Sequence, residues 1–274
     1  MEMERIIREC AFDVFRGEEL RFDASAAAER AVVAPQELTV RVAAGVAARL
    51  SLLHAAAERS QVRVELGAGA SLALTQLFGT GASASLHAVQ AAGSRCTAGM
   101  VLLAEGAAEY RFELNAPDAE CALDGVFVAG DAEHCEVGVR VEHNAAGCRS
   151  HSLVKGVAGG TATGAFRGLV YVAQDAQRTD ARQQSRNLLV GREARIATRP
   201  QLEIYADDVK CTHGATVGQL DDDAVLYMRQ RGLSEAQARA LQVEGFVGDV
   251  VSRIPSEPLR ALLAEAVSRK LERM

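Results

Sequence analysis

From Arg21 to His213 the chain reads as one short strand after another, with no helix-period segment for about 190 residues. Runs such as "QVRVELGAGASLALTQLF", "GMVLLAEGAAEYRFELN", "CEVGVRVEHN" and "GAFRGLVYVAQ" alternate apolar and polar residues between Gly, Asn or Asp punctuation. In Val137–Gly138–Val139–Arg140–Val141 the odd positions are apolar, the period of a strand with one buried face. A chain built this way is a sandwich, a barrel, a propeller or a β-solenoid. The solenoid fits best, because small residues join the strands without long loops and the charged side chains are spread along the run. Similar units, "SLVKGV", "RGLVYV", "SRNLLV" and "PQLEIYA", return at an irregular spacing of roughly fifteen to eighteen residues. Each coil then buries its inner face only against its neighbours. Aromatic residues make up 4% and there is no Trp, which suits a narrow interior filled by small aliphatics. The last coil has an unpaired edge that calls for a cap or a partner.

The character changes near residue 217, dividing the chain into a β-solenoid domain, 1–216, and a small helical C-terminal domain, 217–274. One of Asp221, Asp222 and Asp223 is placed to cap a helix, with the others in its first turn. Arg229 and Arg231 fall at its end, and Gly232 sits where a left-handed glycine stops it. Ser234 with Gln237 makes a capping box for a second helix, which Pro255 closes. Ser256 and Pro258 open a third, with Leu259, Leu262, Leu263, Ala266 and Leu271 on one stripe. Three short helices cannot bury that stripe among themselves, so they dock on the solenoid or on another protein.

Charge and motifs exclude several functions. The formal net charge is −6, which argues against nucleic acid as a partner. No stretch reaches ~18 uninterrupted apolar residues, so no membrane span is expected. The opening "MEMERIIREC" has mixed charge and no apolar core, so a cytoplasmic location is expected. There is no G-x-x-x-x-G-K-[ST], so this chain is expected to bind no nucleotide of its own, and no H-E-x-x-H or G-x-S-x-G. "GTGASA", Gly79–Ala84, is followed by no helical pattern and reads as a Gly-rich turn. Six cysteines, Cys10, Cys96, Cys121, Cys135, Cys148 and Cys211, lack C-x-x-C spacing and read as free thiols, mostly buried.

Three places offer chemistry. Asp207 and Asp208 suggest general acid–base work, as in a β-solenoid carbohydrate-active enzyme, but adjacent strand residues face opposite ways, so a turn is the simpler reading. His134, Cys135, His143, Cys148 and His151 crowd eighteen residues with possible metal ligands, yet Cys148 and His151 have opposite parity on a strand. Cys211 and His213 differ. In an extended segment residues i and i+2 share a face, roughly 6.6 Å apart, so both reach one ion or one sulfur species from one side. Gly214 follows and allows a turn. Two ligands do not complete a metal or cluster site, so the rest must come from another chain.

"SLVKGVAGGTATGAFRGLVYVAQDAQRTDARQQSRNLLV" followed by "RPQLEIYADDVKCTHGATVGQLDDDAVLYMRQRGL" closely resembles the SufB/SufD family of the SUF iron–sulfur cluster assembly system, on its SufD side. His213-Gly214-Ala215 stands where the SufB side reads His-Glu-Ala. The clear likeness runs from about Val141 to the C-terminus. It implies a right-handed parallel β-helix followed by a helical domain, and a non-enzymatic scaffold subunit. It implies pairing with a SufB-like subunit through the β-helix ends, and a SufC-type ABC ATPase docked on the helices that carry Leu226, Leu259, Leu262 and Leu263. It marks His213 as a ligand of iron or of a transient iron–sulfur cluster shared between subunits. Cys211 beside it is either a second ligand or a packing residue. Family members typically carry a helical segment before the β-helix, whereas this chain begins almost directly with strands. It therefore reads as a compact variant, and a homodimer through the same edge is expected when no SufB-like subunit is present. A purely architectural subunit is the remaining alternative.

Overall fold

The computed structural model of the chain describes residues 9–10, 12–25, 29–55 and 57–271. The expectation drawn from the opening segment falls mostly outside them. Among the described residues, seventeen strands lie in two parallel sheets. The first holds β1 (Asp13–Phe15), β3 (Arg30–Val33), β5 (Ala47–His54), β7 (Ser71–Phe78), β9 (Arg95–Leu102), β11 (Glu120–Ala129), β13 (Arg149–Ala158), β15 (Asp180–Leu189) and β17 (Lys210–Gln219). The second holds β2 (Glu19–Phe22), β4 (Glu37–Val42), β6 (Arg59–Leu66), β8 (Ala82–Gln90), β10 (Gly106–Leu114), β12 (His134–His143), β14 (Thr163–Val172) and β16 (Arg195–Ile204). Each strand from β3 to β15 pairs with those two before and two after it, so the chain winds between the sheets as a parallel β-helix. The recurrence seen in the sequence is one strand with its corner, and two such units make a coil.

The corners explain how small residues replace loops. Gly45, Gly69, Gly93, Asp118, Gly147 and Arg178 all take left-handed backbone, one per coil. Each corner N–H donates to the next coil, as in Gly69 to Ala92 O at 2.8 Å and Gly147 to Gln177 O at 2.9 Å. The stacked corners thus satisfy their own polar groups without secondary structure.

Inward residues alternate with outward ones and form one long aliphatic core between the sheets. Phe112, Phe127 and Phe166 are its largest fully buried side chains. A Cβ on Gly156 would lie 2.1 Å from Phe127 Cζ, and one on Gly164 2.7 Å from Cε2, so these glycines make room for the ring. The outer face of the second sheet meets water and carries an Arg–Glu ladder, with Arg41 to Glu19 at 3.0 Å and Arg167 to Glu109 at 2.9 Å.

The outer face of the first sheet is apolar toward the strand ends, and the helices cover it. They are α1 (Asp222–Gln230), α2 (Glu235–Val251) and α3 (Glu257–Leu271). Leu53, Leu77, Val101, Val126, Val128, Leu153 and Val157 pack against Val243, Val247, Val250, Ile254, Leu259 and Leu263. The buried ammonium of Lys155 fixes α2 through Phe246 O and Asp249 Oδ1, both at 2.6 Å. The punctuation behaves as expected. Asp221 caps α1 by accepting from Ala224 N, Gly232 takes φ 99°, and Ser234 and Gln237 form the capping box. The last strand runs to Gln219, past the expected division at residue 216. Among the described residues no helix is long and apolar enough to cross a membrane.

Candidate functional site

The β-helix ends at a rim made of β16 and β17. Each is ten residues long and pairs on one side only, β16 with β14 and β17 with β15. Their outer edges offer unpaired backbone donors and acceptors, a template for another chain. Along β17 the register sets Cys211 beside Ala181, His213 beside Gln183, Ala215 beside Ser185 and Val217 beside Asn187. The β15 residues in that row are buried, so Cys211 and His213 share the inward face of the last coil, as the spacing predicts.

The two donors sit in different surroundings. Cys211 is half-buried against the small cluster of Val170, Val172, Ala181 and Ala206. Burial pushes its thiol above the usual cysteine value, with Asp180 adding to the effect and the Ala181 backbone opposing it. It is therefore a thiol at neutral pH. His213 is exposed because no further coil covers it. The turn that Gly214 allows is not taken. The strand continues to Gln219, and a Cβ on Gly214 would meet open space. The edge strand is held from behind by Asn187, whose amide donates to Thr216 O at 3.0 Å and to Ser185 Oγ at 2.9 Å.

Among the described residues no group of three His, Cys, Asp or Glu side chains could hold a metal ion. Cys211 and His213 therefore have no third such side chain grouped with them among the described residues. The same region gathers exposed apolar side chains. Ile204, Tyr205 and Val217 on and beside the rim strands, and Leu226 and Tyr227 on α1, are exposed, with Tyr205 at 61%. The rings of Tyr171 and Tyr205 lie 5.7 Å apart.

The other candidates fall elsewhere. His134 and His151 point outward, while Cys135, His143 and Cys148 are buried inside the coil, so strand alternation divides the five. Asp207 and Asp208 are exposed on a corner, where Asp208 accepts from Arg178 N and donates its own N–H to Gln177 Oε1. Of Gly79–Ala84, the first three residues are the corner between β7 and β8, with Gly81 at φ 74°, and the rest open β8. Leu259 and Leu263 are fully buried against the first sheet and Leu262 packs beside them, so these side chains are spent on intramolecular packing. Leu226, of the docking set, is exposed. The polar inward row Gln183, Ser185, Asn187 went unremarked in the sequence. Its signal was period-two parity, because it shares a face with buried Ala181; its register neighbours on β13 are Ser152, Val154 and Gly156.

The core domain described as SUF system FeS cluster assembly, SufBD, matches residues 20–246. The chain belongs to the SufB/SufD family. The match reaches back from the likeness seen near Val141 to the first long strands, so those upstream strands are part of the shared core. The chain is SufD-like: it is 35% identical over 159 residues to iron-sulfur cluster assembly protein SufD of Escherichia coli, covering 58% of this chain and 38% of that protein. It is 41% identical over 135 residues to an iron-sulfur cluster assembly SufBD family protein of Synechocystis, covering 49% and 29%. It is 33% identical over 172 residues to another from Mycobacterium leprae, covering 60% and 43%. These matches span less than half the length of each relative.

Proposed function

We propose that this SufD-like chain is a scaffold subunit for iron–sulfur cluster assembly whose rim docks on a SufB-like subunit in the cytoplasm. The observation that carries the reading is the rim itself: two long strands with free edges, an exposed imidazole and a half-buried thiol on one face, and apolar side chains around them. A partner strand added to β17 would meet its free backbone groups and cover the exposed Tyr205 and Val217. His213 then stands at the seam as a ligand to iron or to the nascent cluster, which is cargo and not a resident group. Cys211 becomes a second ligand once metal takes its proton. The partner supplies the remaining donors, which fits the incomplete set on this chain. Thiolates are the usual cluster ligands, and a His substitute raises the potential, so a His-bearing seam suits a cluster that must be handed on. A SufC-type ATPase engages the helical layer on its outer side, where Leu226 and Leu241 are exposed, and the nucleotide chemistry belongs to that subunit. Without a SufB-like subunit the same edge pairs two copies of this chain.

Replacing His213 by Ala is expected to lower the cluster yield of the reconstituted complex by more than half, read by visible absorption and bound sulfide. The melting temperature stays unchanged, because the side chain is exposed and makes no hydrogen bond with described residues. A yield equal to wild type contradicts the ligand role.

A further inference from the structure

The filling of the coil changes just behind the rim. The main apolar cluster reaches the rim through Ala194 and Ile196, and a small separate cluster of Val170, Val172, Ala176, Ala181 and Ala206 lies toward the other corner. Between them the inward row of β15 reads Gln183, Ser185 and Asn187, all buried. Asn187 uses its amide nitrogen to hold β17. Gln183 uses neither polar atom: Oε1 and Nε2 are both buried without a partner. A hydrocarbon of the same shape would fill that space without an unmet amide.

Gln183 is the register neighbour of His213 on the same inward row. Gly168 of the opposite sheet leaves the room the amide occupies, since a Cβ there would lie 2.2 Å from Gln183 Oε1. The His213 ring has open solvent beside it now, but a partner seated on the rim would remove that water. A histidine that ligates a metal through one ring nitrogen needs an acceptor for the N–H of the other, and that acceptor fixes the tautomer and the ring's aim. The geometry points to Gln183 as the positioning residue for His213: its Oε1 accepts the ring N–H once the rim is covered, leaving the second ring nitrogen free for iron. This rests on the ligand reading of His213. It also gives the unmet amide a use that appears only in the assembled state.

The test compares iron(II) affinity of the assembled pair for wild type, Gln183→Met, Gln183→Glu and His213→Ala. Gln183→Met keeps the length and burial and removes the acceptor. It is expected to weaken iron(II) binding by about 10–100-fold, with the melting temperature of the chain held or raised. Gln183→Glu restores an acceptor and is expected to recover most of that loss, which a merely space-filling role would not produce. Wild-type affinity in Gln183→Met, or no recovery in Gln183→Glu, overturns the positioning role. If His213→Ala also binds like wild type, the ligand reading falls with it, whereas a loss confined to His213→Ala removes Gln183 alone.

Discussion

Phe127→Ala is expected to destabilise the chain by about 3–5 kcal/mol, among the largest losses any single side chain here can cause. The ring is fully buried, and it spans from β11 to Gly156 on β13 and Gly164 across the coil. The two positions beneath the ring are glycine and offer no side chain to fill its volume. The cost is therefore a transfer loss plus a cavity that does not collapse. The midpoint of thermal unfolding should fall by roughly 10 °C for a domain of this size. The reciprocal change, Gly156→Ala, is expected to cost about 1–3 kcal/mol by forcing the ring aside. Combining it with Phe127→Leu should cost less than the two single changes added, since each relieves the other. A loss below about 1 kcal/mol for Phe127→Ala would show that the ring does not hold the coil open.

Acid should weaken the fold before carboxylates titrate. His54 and His143 are buried, and burial holds each ring's pKa down at about 4. Neutral His54 is well housed, with one ring nitrogen on Ser60 Oγ at 3.0 Å and the other on the Gln76 amide nitrogen at 2.9 Å. His143 meets Ser150 Oγ at 2.8 Å. The unfolded chain takes up protons on these rings below about pH 6.5, while the folded chain resists until about pH 4. Their contribution is thus whole above pH 6.5, is lost as pH falls, and levels off below pH 4, amounting to about 3 kcal/mol for each ring. Glu65, held low by its hydrogen bond from Arg63, adds a further loss only below about pH 4.5. Urea midpoints measured between pH 7 and 4.5 should therefore slope downward in wild type. They should be nearly flat when both histidines are replaced by Gln. Equal wild-type midpoints at pH 7 and 4.5 would contradict this account.

Much of the architecture was legible because period-two patterning survives in nearly every strand, and because Asp221, Ser234 and Gly232 punctuate the helices by local chemistry alone. The spacing of Cys211 and His213 placed both on one face, since i and i+2 alternate identically on any strand. What stayed hidden depends on register between distant segments. The sequence does not say that Gln183 lies beside His213, because thirty residues, with β16 and two corners among them, separate the two and only the coil length aligns them. Likewise the stripe of Leu259 and Leu263 shows an apolar face but not which surface covers it. That surface is the outer side of the first sheet, whose Val and Leu residues read as ordinary strand filling until the helices lie across them. Glycine at 214 permits a turn without requiring one, and the ladder to β15 keeps the segment extended.

Hydrogen exchange along β16 and β17, with and without a SufB-like subunit, tests the docking rim most directly. Amides on the free edges should exchange quickly in the isolated chain and slow by at least about tenfold when the partner is added, with β15 unaffected because it is already paired on both sides. A complex that forms while the amides of Lys210–Gln219 exchange at their isolated rates would place the partner elsewhere and remove the basis for a shared site at His213.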